Sequence, residues 1–333
     1  MENKGYSYFF RNIIGRGTYR DNDVLELYHA QIRGEKIYKK PFKFLRGFFF
    51  YKKNMEQEIL NLEFVKPEVP NVSTFKRKPG AVLTHIHNEK YFFPIWLKHY
   101  SKYYDPEDIY VINHNSTGEF LEDLSQGANE KKYNLITVHN DKIWSSRWVS
   151  DNMSTFQWFL LQSYESVLCC DVDELIVTDP SSKYIDLRDY YNNTDTEATM
   201  VLGFHIASDP TVDKKIDLNM PFLKQRNKIT FEKNLCKPLF SKLHVRYNGG
   251  MHSVSNIPVG PDYQLLLFHL HYIELDWIIE REKNRPLEKW SQYDLENNFS
   301  YQNKPASKEE KTKFFLDIYN SGMDIPERFK YII

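Results

Sequence analysis

Cysteine is scarce in this chain: Cys169, Cys170 and Cys236 are the only three among 333 residues. Two are adjacent, and their spacing fits neither a zinc site nor a disulfide framework. Cys169 and Cys170 sit in an apolar run, which predicts buried free thiols on a strand and a reducing compartment. Long apolar runs are also missing. None approaches the ~18 residues of a membrane span, and no apolar N-terminal stretch reads as a signal peptide. The expected location is therefore cytoplasmic. Nor is there a surplus of charge of either sign, with 44 Lys plus Arg against 45 Asp plus Glu. That balance excludes a general nucleic-acid binder, whose surface must neutralise phosphates.

What the chain does have is aromatic side chains, 23 Tyr, 23 Phe and 6 Trp, suited to a core and to stacking on sugars and bases. Its length suits one large domain with extensions, or two small ones. Residues 1–75 are polar and aromatic without a clear period, and end in a stretch where Pro67 and Pro70 favour extended backbone. Within them lies a local charge excess. Residues 36–53 carry seven basic and no acidic side chains, interleaved with Tyr38, Phe42, Phe44, Phe48, Phe49, Phe50 and Tyr51. Such a segment suits peripheral contact with an anionic membrane. It suits equally a basic arm packed on the rest of the chain.

Beyond residue 75 strands and helices alternate. Short apolar strands are predicted at residues 81–84, 108–112, 135–138 and 166–170, and helices at 91–103 and 150–162. Pro94 falls in the first turn, where its missing N–H costs little. The last strand is apolar on both faces, as in the centre of a parallel sheet. The alternation implies βαβ units and an α/β fold. Ligands of such sheets bind at the carboxyl ends of the strands.

Three polar segments fall at those ends: Thr84 to Glu89, Asn113 to Gly118, and Asp171-Val172-Asp173-Glu174. Taken singly, the first two are ordinary capped turns. The third crowds three carboxylates into four residues at the mouth of a buried strand. It needs a counter-charge, and Mg²⁺ or Mn²⁺ suits an oxygen-rich cluster. Such a cation would bridge the phosphates of a nucleotide. Further on, Leu265 to Tyr272 reads as a strand with His269 and His271 on one face. Two imidazoles there are candidate ligands, with His252 a weaker one. A helix through Ile278 and Ile279 is predicted to follow.

In this order the segments resemble the family 2-like glycosyltransferases, particularly the branch related to family 92. The resemblance rests on Asn88-Glu89, Asn115-Ser116-Thr117, Asp171-Val172-Asp173-Glu174 and His271-Tyr272, and covers roughly residues 80–285. His87 and Gly118 differ from the basic residue and the Asp common at those places. The resemblance implies a GT-A (Rossmann-like) mixed sheet flanked by helices over residues 76–290, with an N-terminal extension (1–75) and a helical C-terminal tail (291–333). It also implies a metal-dependent, inverting transfer from a nucleotide-sugar donor to a glycan or other glycoconjugate hydroxyl. Thr84, His87, Glu89, Asn115, Asp141 and Asp171 would line the donor pocket, and Lys237 would meet the diphosphate. Asp171, Asp173 and His271 would hold Mn²⁺ or Mg²⁺. Asp209, after a predicted strand, is the candidate base for the acceptor hydroxyl. Two alternatives stay open: a sugar nucleotidyltransferase, although residues 85–90 lack the glycines of its usual loop, and a non-enzymatic carbohydrate-binding protein.

Overall fold

The computed structural model describes residues 76–333 apart from 143, 284, 301 and 302. The basic aromatic segment 36–53 and the linker 66–71 lie outside the described residues.

Four strands form the parallel half of the sheet: β1 (Lys78–Ile86), β2 (Ile109–His114), β3 (Asn134–Val138) and β4 (Tyr164–Cys169). They run in the order β3-β2-β1-β4, every neighbouring pair parallel. Helices α1 (Phe92–Tyr100), α2 (Gly118–Asn129) and α3 (Ser146–Leu160) make the crossovers between them. The chain leaves β1 towards β2 and later returns to β1's other side as β4. The mouth of the sheet between β1 and β4 is therefore a switch point, the usual crevice for a ligand.

The second half is mixed. β5 (Glu174–Thr178) pairs antiparallel with β9 (Gly260–His269), and β9 runs parallel to β6 (Ala198–Ala207). β7 (Lys228–Phe231) and β8 (Phe240–Ser241) are antiparallel to β6, and β8 joins it to β4. Helix α4 (Leu187–Asn193) links β5 to β6; after β9 come α5 (Leu275–Lys283) and α6 (Lys308–Asn320). The tail ends in β10 (Met323–Asp324), which pairs with β7. The architecture is α/β, a mixed sheet flanked by helices.

The four parallel strands fall on the four apolar runs, leaving out only Asp108 and Cys170 at their ends, because buried side chains on both faces leave a β run continuous rather than alternating. Element ends differ more. α3 begins four residues before the expected start, where the Ser145 side chain accepts from the Trp148 N–H as an N-cap. β9 stops at His269, and Leu270–Tyr272 form a 3₁₀ turn rather than more strand. The Leu270 N–H donates to the Asp173 carbonyl at 2.8 Å, which draws the chain across the acidic turn. No helix among the described residues is long and apolar enough to cross a membrane.

Candidate active site at the mouth of the sheet

The acidic turn between β4 and β5 is held from behind. On α1, the Tyr100 hydroxyl donates to the Glu174 carbonyl at 3.1 Å and accepts from the Ile176 N–H at 3.0 Å. Trp96 donates its indole N–H to Cys170 Sγ at 3.3 Å. All three cysteines are free and buried. Burial pushes the Cys169 and Cys236 thiols up to about 12, so they act as apolar packing rather than as nucleophiles.

The crowded carboxylates find cations within the chain. Lys237, buried, sits 2.6 Å from Asp171 Oδ2 and 2.7 Å from Glu174 Oε1. Burial alone would lower its pKa, but the two carboxylates raise it above the ordinary lysine value. The amine is thus paired with the acidic turn. Asp173 is served separately: Arg281 Nη1 on α5 donates to its Oδ2 at 2.6 Å. Burial works against the Asp173 charge, yet Arg281 and His269 hold its carboxyl well below the usual range. Charge repulsion in this turn is thus relieved without an ion, and the case for a metal passes to the histidines.

That case is geometric. His269 ends β9 directly opposite Glu174 in the register, and the turn that follows brings His271 to the same place. His269 Nε2 lies 3.4 Å, and His271 Nδ1 4.0 Å, from Asp173 Oδ2. One ligand atom from each of Asp173, His269 and His271 falls within 4.8 Å of the others. Asp171 is outside this group, bound to Lys237, and His269 joins it. One carboxylate and two imidazoles form a donor set that fits Mn²⁺ better than Mg²⁺, which prefers oxygen. Burial and the neighbouring His269 hold His271 well below the usual imidazole pKa, so its ring is neutral and able to ligate at neutral pH. Behind this group, His205 on β6 meets His269, ring nitrogen to ring nitrogen, at 3.0 Å.

Glu89, expected in the donor pocket, is instead buried in the same charge network. It accepts from Arg281 Nε at 3.0 Å and also pairs with Arg285. Sequence reasoning missed both arginines. For Arg281 the signal was a charged residue on an apolar stripe, since Leu275, Ile278, Arg281 and Glu282 share the buried face of α5. Arg285 also lies over the Trp144 ring, 4.7 Å from its centroid.

Beside the network a cleft of about 670 Å³ opens at the ends of β1, β2 and β3, lined by His87, Asn88, Asn115, Thr117, Asn140, Asp141, Lys283, Pro286 and Lys289. Its two front loops brace each other. The Asn88 N–H donates to Ser116 Oγ at 3.1 Å, and the Thr117 N–H donates to Asn88 Oδ1 at 3.0 Å. Asn88 and Asn115 both adopt left-handed backbone, at φ 49° and 50°, a conformation Asn tolerates better than most residues. Gly118, at φ 61°, opens α2 in that region too, where glycine carries no Cβ penalty. His87 Nδ1 lies 2.6 Å from the His114 carbonyl. Of the expected pocket residues, His87, Asn115 and Asp141 line the cleft. Thr84 is buried within β1 with no bond to its hydroxyl. Asp209 lies two residues past the end of β6, and its Oδ1 accepts from the Thr211 N–H at 2.9 Å and hydroxyl at 2.6 Å.

Lys237→Met is expected to lower stability by about 3–5 kcal/mol, because it strands the buried Glu174 without a cation. Urea unfolding measures it; a loss under about 1 kcal/mol, the range of an exposed pair, would mean that this lysine is not the counter-ion.

No family model matches the chain, and no curated protein matches it in sequence. Solved structures do align. TarS from S. aureus is 12% identical over 73% of this chain and 43% of its own, at a TM-score of 0.30. The mannosyltransferase PcManGT from Pyrobaculum calidifontis, solved with GDP-Man and Mn²⁺, is 15% identical over 56% of this chain and 47% of its own, at 0.26. A Bacillus anthracis protein assigned as a glucose-1-phosphate thymidylyltransferase, solved with sucrose, is 10% identical over 75% of this chain and 98% of its own, at 0.27. The chain thus spans under half the length of the first two. At such scores the functional reading rests on the site itself.

Proposed function

We propose that this chain is a metal-dependent glycosyltransferase, moving a sugar from a nucleotide-sugar donor to the hydroxyl of a glycan or other glycoconjugate with inversion. One observation carries the reading: the Asp173, His269 and His271 ligand atoms lie within 4.8 Å of one another, linked through Arg281 and Glu89 to the loop that supplies His87 and Asn88 to the cleft. A cation held by Asp173, His269 and His271, Mn²⁺ before Mg²⁺, would act as a Lewis acid for the departing diphosphate. The residues of the chain do the rest. Asn88, Asn115, Thr117, Asn140 and Asp141 offer hydrogen bonds to base and ribose. Lys283 and Lys289 add positive charge to the lining of the cleft, where phosphates gain from it. Asp209, at the same edge of the sheet, is our candidate base for the acceptor hydroxyl.

The cleft assignment is tested by calorimetry with nucleoside diphosphates and Mn²⁺. Asp141→Ala and Asn115→Ala should each weaken binding roughly tenfold, the worth of a hydrogen bond of about 1.4 kcal/mol. Unchanged affinity in both would move the nucleotide out of the cleft.

A further inference from the structure

The acidic turn has its own cation where a metal would bind, and this sets up a competition. Arg281 Nη1 lies 2.6 Å from Asp173 Oδ2, the oxygen that His269 Nε2 and His271 Nδ1 also approach, at 3.4 and 4.0 Å. A guanidinium there uses a lone pair that a metal needs. It also adds a positive charge a few ångströms from any ion between the three ligands, in a buried setting where charges are weakly screened. Arg281 is held at the same time by a second carboxylate. Its Nε and Nη2 face Glu89 Oε1 at 3.0 and 2.9 Å, and Phe92 lies under the guanidinium, 4.9 Å from its carbon to the ring centroid. Glu89 in turn belongs to the loop carrying His87 and Asn88 into the cleft.

We propose that Arg281 is a resident counter-ion for Asp173: it neutralises the carboxylate in the metal-free protein and gives it up, keeping Glu89 as its partner, when a divalent cation takes the site. The inference rests on the metal site of the proposed function and assigns to Arg281 a positioning role, since it acts through Asp173. Metal affinity is thereby held down in the absence of nucleotide. Occupancy of the metal site and the set of the β1–α1 loop become coupled, because both pull on one guanidinium.

The test is Mn²⁺ alone, titrated into the 333-residue chain without nucleotide and followed by the electron paramagnetic resonance of free Mn²⁺. Arg281→Gln, which removes the charge and keeps most of the length, should bind Mn²⁺ at least tenfold more tightly than wild type. Arg281→Lys, which keeps the charge, should stay within about threefold of wild type, below the factor of 5 at which site-to-site coupling usually begins. A paired melting experiment covers a poorly folding Gln variant: added Mn²⁺ should raise its Tm more than that of wild type, because the ion replaces the missing counter-charge. Asp173→Asn in the Arg281→Gln background should abolish the gain. Equal or weaker Mn²⁺ binding by Arg281→Gln, with wild type binding measurably, would overturn the counter-ion role and leave the metal site standing. Absence of Mn²⁺ binding by every variant would overturn both.

Discussion

Asp173→Asn is expected to weaken Mn²⁺ binding by at least about 100-fold, the upper range for losing a mere supporting residue of a metal site, and to cut sugar transfer at least as far. Three interactions converge on this carboxylate, from Arg281 at 2.6 Å, His269 at 3.4 Å and His271 at 4.0 Å. Asn keeps the shape and one acceptor oxygen but not the charge. The substitution also leaves Arg281 with Glu89 alone, a residue already shared with Arg285. A stability loss of about 3 kcal/mol should accompany the functional one, since an ion pair is being broken in the interior. Metal titration and urea unfolding read the two effects independently. Near-normal Mn²⁺ affinity in a folded Asp173→Asn protein would remove Asp173 from the metal site.

Acid should destabilise this protein through its buried histidines. The His99 ring, buried on α1, lies with Nε2 2.9 Å from the Ile176 carbonyl. Burial, only partly offset by that bond, lowers its pKa to about 4. His85, packed against His114 and Trp148, is lowered by burial and by the neighbouring His114 to about 3. Unfolded histidine titrates near 6.5, so on acidification the unfolded chain takes up protons first. Both contributions are complete above about pH 7 and are lost as pH falls through 6.5 towards 4 and 3. At pH 5 each ring should cost about 2 kcal/mol. Together that is a drop of roughly 10 °C in Tm for a unit of this size. Melting curves at pH 7.5 and 5.0 decide it. A Tm that holds across this range would mean that the two rings are not buried in neutral form.

The parallel half of the sheet was legible because its strands are local apolar runs, and residues 81–84, 135–138 and 166–170 lie within β1, β3 and β4 but for Cys170, one residue past the end of β4. The acidic turn and the two histidines stood out for a similar reason, being chemistry concentrated in a few consecutive residues. What neutralises them did not, because it is set by contacts across the chain. Lys237 reaches Asp171 over 66 positions and Arg281 reaches Asp173 over 108. Repulsion among Asp171, Asp173 and Glu174 was readable; whether an ion or a side chain relieves it depends on where β8 and α5 pack. The end of β9 was missed likewise. Nothing in Leu270-His271-Tyr272 marks a strand end, and the bond from Leu270 to the Asp173 carbonyl that turns the chain is tertiary.

The central claim, transfer from a nucleotide-sugar, is tested most directly by incubating the chain with a panel of nucleotide-sugars and measuring free nucleoside diphosphate with and without Mn²⁺. Slow hydrolysis by water replaces the acceptor, so the acceptor need not be known. The expected result is release from one donor or a small set, dependent on Mn²⁺ and lost in Asp173→Asn. No release from any donor in Mn²⁺, together with no Mn²⁺-dependent binding of any nucleoside diphosphate, would contradict it.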